Sequence, residues 1–134
     1  MGYTFAEKVL ARKTGLDHVV AGQILIVRPD KLLTHDNTSA IAQQFKKIGV
    51  EKMADPAMSV IVLDHVVPAA NETYALNHKQ VREFVAEQSI QAFYDIGEGI
   101  CHQVLPEQGY AWPGAVIVGS DSHTTTYGAF GAFA

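Results

Sequence analysis

The sequence has a single cysteine, Cys101, among 134 residues. An intrachain disulfide, a four-cysteine zinc site and a self-contained iron–sulfur cluster are therefore excluded, and a cofactor of that kind needs ligands from elsewhere. Basic charge is also scarce: ten Lys and Arg against fourteen Asp and Glu leave a formal charge of −4, with no basic cluster. Nucleic acid and anionic membranes are not expected partners of such a chain. No apolar run approaches the roughly 20 residues that a spanning helix needs. The stretch Met1-Gly2-Tyr3-Thr4-Phe5-Ala6-Glu7-Lys8 lacks the charged head and apolar centre of a signal peptide, so a cytoplasmic location is expected. What is present is a globular composition, 48% hydrophobic and 18% charged, which excludes disorder as the main state. The length suits one domain, residues 1–134. The run Tyr127 to Ala134 is small, apolar and glycine-punctuated, and reads as a chain cut inside an element.

Helices and strands alternate along the chain. Thr4 and Glu7 form a capping box ahead of Phe5 and Val9, and Gly15 stops the helix, which is predicted over 5–14. Gln23 to Val27 is a β-branched run ended by Pro29, predicted as a strand, and Thr34 to Thr38 reads as a turn. A helix over 39–48 carries Ile41, Phe45 and Ile48 at helical spacing. Another over 72–88 follows Asn71 as N-cap, with Tyr74, Val81, Phe84 and Val85 on one stripe. Three short apolar runs, Val60 to Leu63, Ile90 to Tyr94 (broken by Gln91) and Ala115 to Val118, suit strands buried on both faces. The fold class is α/β with a mainly parallel sheet. Residues 97–114 hold too many Gly and Pro for a crossover helix and are expected to be a long functional loop.

Each candidate strand runs into a histidine with an acid nearby. Val60 to Leu63 delivers Asp64-His65, Tyr94-Asp95 leads to Cys101-His102, and Val116 to Val118 leads to Asp121-Ser122-His123. In a parallel sheet the strand carboxyl ends share one edge, so these loops converge where ligands bind. A carboxylate on one imidazole nitrogen fixes the tautomer and raises the pKa, which suits proton transfer; the same set suits metal binding. Each piece alone also has a plain reading, since Asp, Ser and Thr after a strand are ordinary turn and capping residues. His35 in its polar turn is either a surface side chain or a substrate contact. His78 reads as a helix-face histidine with packing duties, His18 as a solvated one, and Cys101 as a buried structural thiol.

The strings Ile61-Val62-Leu63-Asp64-His65, Gly99-Ile100-Cys101-His102-Gln103-Val104-Leu105-Pro106-Glu107 and Val118-Gly119-Ser120-Asp121-Ser122-His123-Thr124, in this order, resemble the aconitase superfamily. The likeness is strongest to the large subunits of 3-isopropylmalate dehydratase and homoaconitase, and it runs from Thr4 to Phe133. The resemblance implies a three-layer α/β domain like the first domain of the aconitase fold. It also implies a hydro-lyase that moves a hydroxyl group by dehydration and rehydration of a 2-hydroxy di- or tricarboxylic acid, with a 4Fe-4S cluster as Lewis acid. By the same resemblance His65, paired with Asp64, protonates the leaving hydroxyl, and Asp121 orients His102. His123 pairs with a glutamate from later in the family's chain, and Ser122 and His35 contact substrate. His35 favours 2-isopropylmalate or homocitrate over citrate, because aconitases proper usually carry Gln there.

The family's cluster cysteines, its base and several substrate-binding arginines have no counterpart here, and Cys101 matches none of them. The chain is therefore expected to be an N-terminal portion of a large subunit, with no metal or cluster of its own. It would be inactive alone, and its partners would be the remainder of that subunit, a small subunit and the hydroxy acid. Two alternatives stand beside this reading. One is a small hydrolase binding zinc through His65, His102 and His123; the other is a non-catalytic module whose apolar end, Phe130 to Ala134, is an interface.

Overall fold

The computed structural model describes residues 2–134. Helix α1 (Phe5–Thr14) starts at the capping box: Glu7 N–H donates to Thr4 Oγ1 at 3.2 Å, and Thr4 N–H donates to the Glu7 carboxylate at 2.7 Å. Gly15, at φ 71°, ends it. Four strands follow, β1 (Lys31–Thr34), β2 (Ser59–Val62), β3 (Ala92–Tyr94) and β4 (Ile117–Gly119). They form one parallel sheet in the order β3-β2-β1-β4, with Leu33 opposite both Val60 and Gly119. The chain steps outward from β1 to β3 and then returns to the other side of β1. The topological switch therefore lies between β1 and β4.

Side-chain alternation along β2 divides the core between two helical layers. Ile61 and Leu63 pack with Ala42 of α2 (Thr38–Lys47) and Val81 and Phe84 of α3 (Glu72–Gln88). Val60 and Val62 face the other way, against Val104 and Leu105 of α4 (Cys101–Glu107) and Tyr127 of a 3-10 helix (Thr124–Phe130). Each of these fully buried aliphatic side chains contributes about 1.5–3 kcal/mol. The result is the expected α/β domain, helices covering both faces of a parallel sheet. Among the described residues no helix is long and apolar enough to cross a membrane.

Several sequence expectations change. Gln23 to Val27 forms no strand and pairs with none among the described residues, and Ile24 and Ile26 are 95% and 96% exposed. The strand forms instead after Pro29, because Asp30 locks the register: its N–H donates to Val116 O at 2.8 Å and its carboxylate accepts Val116 N–H at 2.7 Å. The segment 97–114 is not a loop throughout but contains α4. Gly97, Gly99 and Gly109 lie outside that helix, and Pro106 in its last turn removes a single backbone donor. Ala115 and Val116 precede β4 and pair with Phe133, whose N–H donates to Ala115 O at 2.8 Å. On α2 the buried face is Thr38, Ser39 and Ala42 rather than Ile41 and Ile48, because Thr38 Oγ1 docks on Thr34 Oγ1 at 2.7 Å and sets the helix rotation. On α3 Tyr74 is exposed and His78 takes its place on the buried stripe.

Candidate active site

Three strands deliver the site to the carboxyl edge of the sheet. β1 leads into His35-Asp36, β2 into Asp64-His65, and β4 into Ser120 to His123, while the first turn of α4 supplies His102. The two sides of the topological switch are tied together by Asn37 and Ser120: the Asn37 amide donates to Ser120 O at 3.3 Å, and Ser120 Oγ donates to Asn37 Oδ1 at 3.0 Å. Ser120 N–H also donates to Leu33 O at 3.0 Å, carrying the β1–β4 pairing to the edge of the site.

His65 sits between two carboxylates. Its Nδ1 lies 2.7 Å from Asp64 Oδ1 and its Nε2 lies 3.0 Å from Asp121 Oδ2. Both partners are acceptors, so an imidazolium satisfies the geometry with a proton on each nitrogen. Burial alone would lower the His65 pKa, but the hydrogen bonds and charges of Asp64 and Asp121 outweigh it and raise the pKa above the ordinary 6.5. Asp64 is steadied from behind, its second oxygen accepting Cys101 N–H at 2.5 Å.

Asp121 is shared. Its Oδ1 accepts from His102 Nε2 and from His123 N–H, each at 2.7 Å, while Oδ2 faces His65. Burial opposes ionisation of this carboxyl, yet these donors hold its pKa far below the usual carboxylate range. The His102 Nδ1 lies 3.1 Å from the Tyr127 hydroxyl, which donates to Cys101 O at 3.3 Å. Asp64, His65, Asp121, His102 and Tyr127 thus form one continuous hydrogen-bonded chain.

His35 stacks on His65 with ring centroids 3.9 Å apart and 20° between planes. Its Nδ1 is buried and has no hydrogen-bond partner among the described residues. Burial, and then the neighbouring His65, lower its pKa, so a neutral ring lies against a cationic one. The remaining two sequence-predicted residues stand at the rim: the His123 side chain is 79% exposed and Ser122 Oγ lies 3.3 Å from its Nδ1. The structure therefore unites Asp64, His65, His102, Asp121 and His35, with Ser122 and the mostly exposed His123, whose Nδ1 lies 3.5 Å from Asp121 Oδ1, at the rim. Asp36, His78 and Tyr127 were not picked out by sequence reasoning. Asp36 looked like a turn residue, His78 like helix packing and Tyr127 like part of a glycine-rich run, and only the fold brings them to this edge.

The donor set does not match a zinc triad. Among the described residues the potential ligand atoms lying within 4.8 Å of one another form two sets, one of His35, Asp36, Asp64 and His65 and another of His102, Asp121 and His123, so the three histidines of the triad are not gathered. Nor do the residues fit an iron–sulfur cluster. Cys101 is fully buried, and burial followed by the nearby Asp64 pushes its thiol up to about 12, which disfavours the thiolate that would bind iron.

A parallel α/β sheet that gathers carboxylate-clamped imidazoles at its switch point is the class of fold and site this chain presents. The chain belongs to the aconitase family: the family model, described as aconitate hydratase, matches residues 7–134. It is similar to 3-isopropylmalate dehydratase large subunit 1 of Methanopyrus kandleri, with 53% identity over 135 residues covering 100% of this chain and 32% of that protein. Similar too is a probable 3-isopropylmalate dehydratase large subunit of Methanothermobacter thermautotrophicus, at 50% identity over 100% of this chain and 32% of that protein. A probable methanogen homoaconitase large subunit of Methanosarcina mazei is 57% identical over 106 residues, 78% of this chain and 27% of that protein. The chain therefore spans about a third of the length of the curated relatives it matches.

Proposed function

We propose that this chain is the amino-terminal part of a hydro-lyase large subunit. The enzyme would isomerise a 2-hydroxy di- or tricarboxylic acid, 2-isopropylmalate to 3-isopropylmalate or homocitrate to homoisocitrate, by removing and re-adding water. The observation that carries this reading is His65 held between Asp64 and Asp121. Losing hydroxide from a saturated carbon needs a proton delivered to the leaving oxygen, and a charged imidazole near neutral pH is suited to that. The shorter contact, to Asp64, orients the ring. The longer one, at Nε2, is where a substrate hydroxyl takes the place of Asp121, which His102 and the His123 N–H continue to hold. His102 is kept in register by Asp121 and Tyr127, while His35, Ser122 and His123 line the approach for the substrate carboxylates.

A 4Fe-4S cluster and the base that removes the carbon-bound proton would come from polypeptide beyond these residues, as would the small subunit. The chain alone holds the acid without its counterpart and is inactive. The test supplies the purified chain with the remaining portion of a relative's large subunit and its small subunit. Absorbance of the unsaturated intermediate is then followed with 2-isopropylmalate and with homocitrate. Turnover is expected only in the complemented mixture, with His65→Asn lowering it by roughly 10²–10⁴-fold. Turnover by the isolated chain, or undiminished turnover with His65→Asn, would overturn the reading.

A further inference from the structure

Behind the proton-transfer chain lies a buried pair that the scheme above does not use. His78 is 2% exposed and Asp36 is 8% exposed. The Asp36 carboxylate accepts four hydrogen bonds. Oδ2 takes the backbone N–H groups of Asp64 (3.1 Å) and His65 (2.8 Å); Oδ1 takes Val66 N–H (3.3 Å) and His78 Nε2–H (2.7 Å). A carboxylate only accepts, so His78 must carry its proton on the nitrogen facing Asp36. Burial opposes the charge on Asp36, but the His65 N–H, the His78 imidazole and the amides of Asp64 and Val66 hold its pKa below the ordinary 3.8. An anion at this depth persists only with such donors around it.

Three successive amides converging on one carboxylate dictate how the chain leaves β2. The turn curls around Asp36, and that curl directs Asp64 toward the start of α4 and His65 toward Asp121. Asp36 belongs to the loop after β1, whereas His78 reaches it from the middle of α3. The contact therefore links three elements at the back of the acid. The geometry points to Asp36 and His78 as a positioning pair, in which His78 holds the Asp36 carboxylate where it grips the Asp64–Val66 turn and so keeps His65 between its two carboxylates. The inference deepens the reading of His65 as acid and rests on it, although its test does not depend on turnover.

The groups facing His65 are Asp64, Asp121 and the ring of His35; those near His78 are Asp36 and, farther off, Asp95, whose carboxylate is paired with Arg82 at 2.7 Å. The His65 imidazole is titrated by two-bond proton–nitrogen NMR in the unmodified chain, in His78→Leu and in His78→Gln. Leucine keeps the buried volume but donates nothing, whereas the Gln amide reaches about as far as Nε2. In His78→Leu the His65 pKa falls by about one unit toward its ordinary value as the carboxylates lose their alignment, and His78→Gln restores most of the shift. A merely structural packing role predicts no change in a folded His78→Leu chain. That result, or an equal fall in both variants, overturns the inference. Should His78→Leu fail to fold, amide exchange in the unmodified chain decides. Protection of the Asp64, His65 and Val66 amides that is lost together as Asp36 protonates supports the pair, and exchange at open-loop rates rejects it. Failure of the complementation assay would sink the hydro-lyase reading while leaving this titration intact.

Discussion

Asp121 concentrates the chemistry of the site because two oxygens serve three donors, His65, His102 and the His123 amide. Its placement depends on a residue with no side chain. A Cβ on Gly119 would meet Thr124 Oγ1 at 2.1 Å and Thr124 Cγ2 at 2.7 Å, and the Thr124 hydroxyl donates to Asp121 O at 2.7 Å. Gly119 is therefore required for close approach, since any side chain there pushes the Asp121 turn off the sheet edge. Gly119→Ala is expected to destabilise the fold by about 1–3 kcal/mol, read from the urea midpoint, and the added Thr124→Ala change should recover part of the loss. A neutral Gly119→Ala would mean that the turn yields without strain.

At the scale of elements, the sheet edge is shaped as much by helices as by strands. α3 contributes His78 to the site and Val81 and Phe84 to the core, so its seating governs both. Phe84 meets Phe45 of α2 edge-on, with centroids 5.8 Å apart at 71°. Truncating Phe84 to Ala leaves a cavity beneath the two helices and should cost about 3–5 kcal/mol. Chemical denaturation measures this, and a loss under 1 kcal/mol, roughly the size of a surface change, would show that α2 and α3 collapse to fill the space. The helices over 5–14 and 72–88 were legible because capping residues and spacing are local signals. β1 was not, because Gln23–Val27 has the richer β-branched composition and loses only when Asp30 binds Val116, 86 positions away. α4 was hidden by its flanking glycines, which mark its surroundings rather than its interior.

Taken as a whole, the molecule stores opposite pH dependences in one site. His65 has a folded pKa raised above 6.5, so its contribution to stability is complete below 6.5 and is lost as pH rises through the folded value. Asp36 and Asp121 have folded pKa values depressed below 3.8, so their contributions are complete above 3.8 and are lost as pH falls through the folded values. Calorimetric scans should therefore give a Tm that declines from pH 6.5 upward and again below pH 3.8; between these limits His35, whose folded pKa is lowered, loses its own contribution as pH falls from 6.5. A His65→Asn chain should lose the upper decline and keep the lower. A Tm that does not fall above pH 6.5 in the unmodified chain would contradict the double clamp on His65.

By itself the sequence determined the α/β class, the family likeness and the identity of the Asp-His pairs, because alternating apolar runs and strand-end motifs are read along the chain. Asp64 beside His65, and Asp121 two residues before His123, needed no coordinates to be noticed. Only the tertiary structure decided that His65 bridges to Asp121 across 56 positions and that His102 shares the same carboxylate. It also decided that Asp36, with His78 behind it, grips the turn that presents the acid. These are contacts between residues remote in the chain, created by the order in which parallel strands assemble, and no local pattern encodes which strand ends will meet.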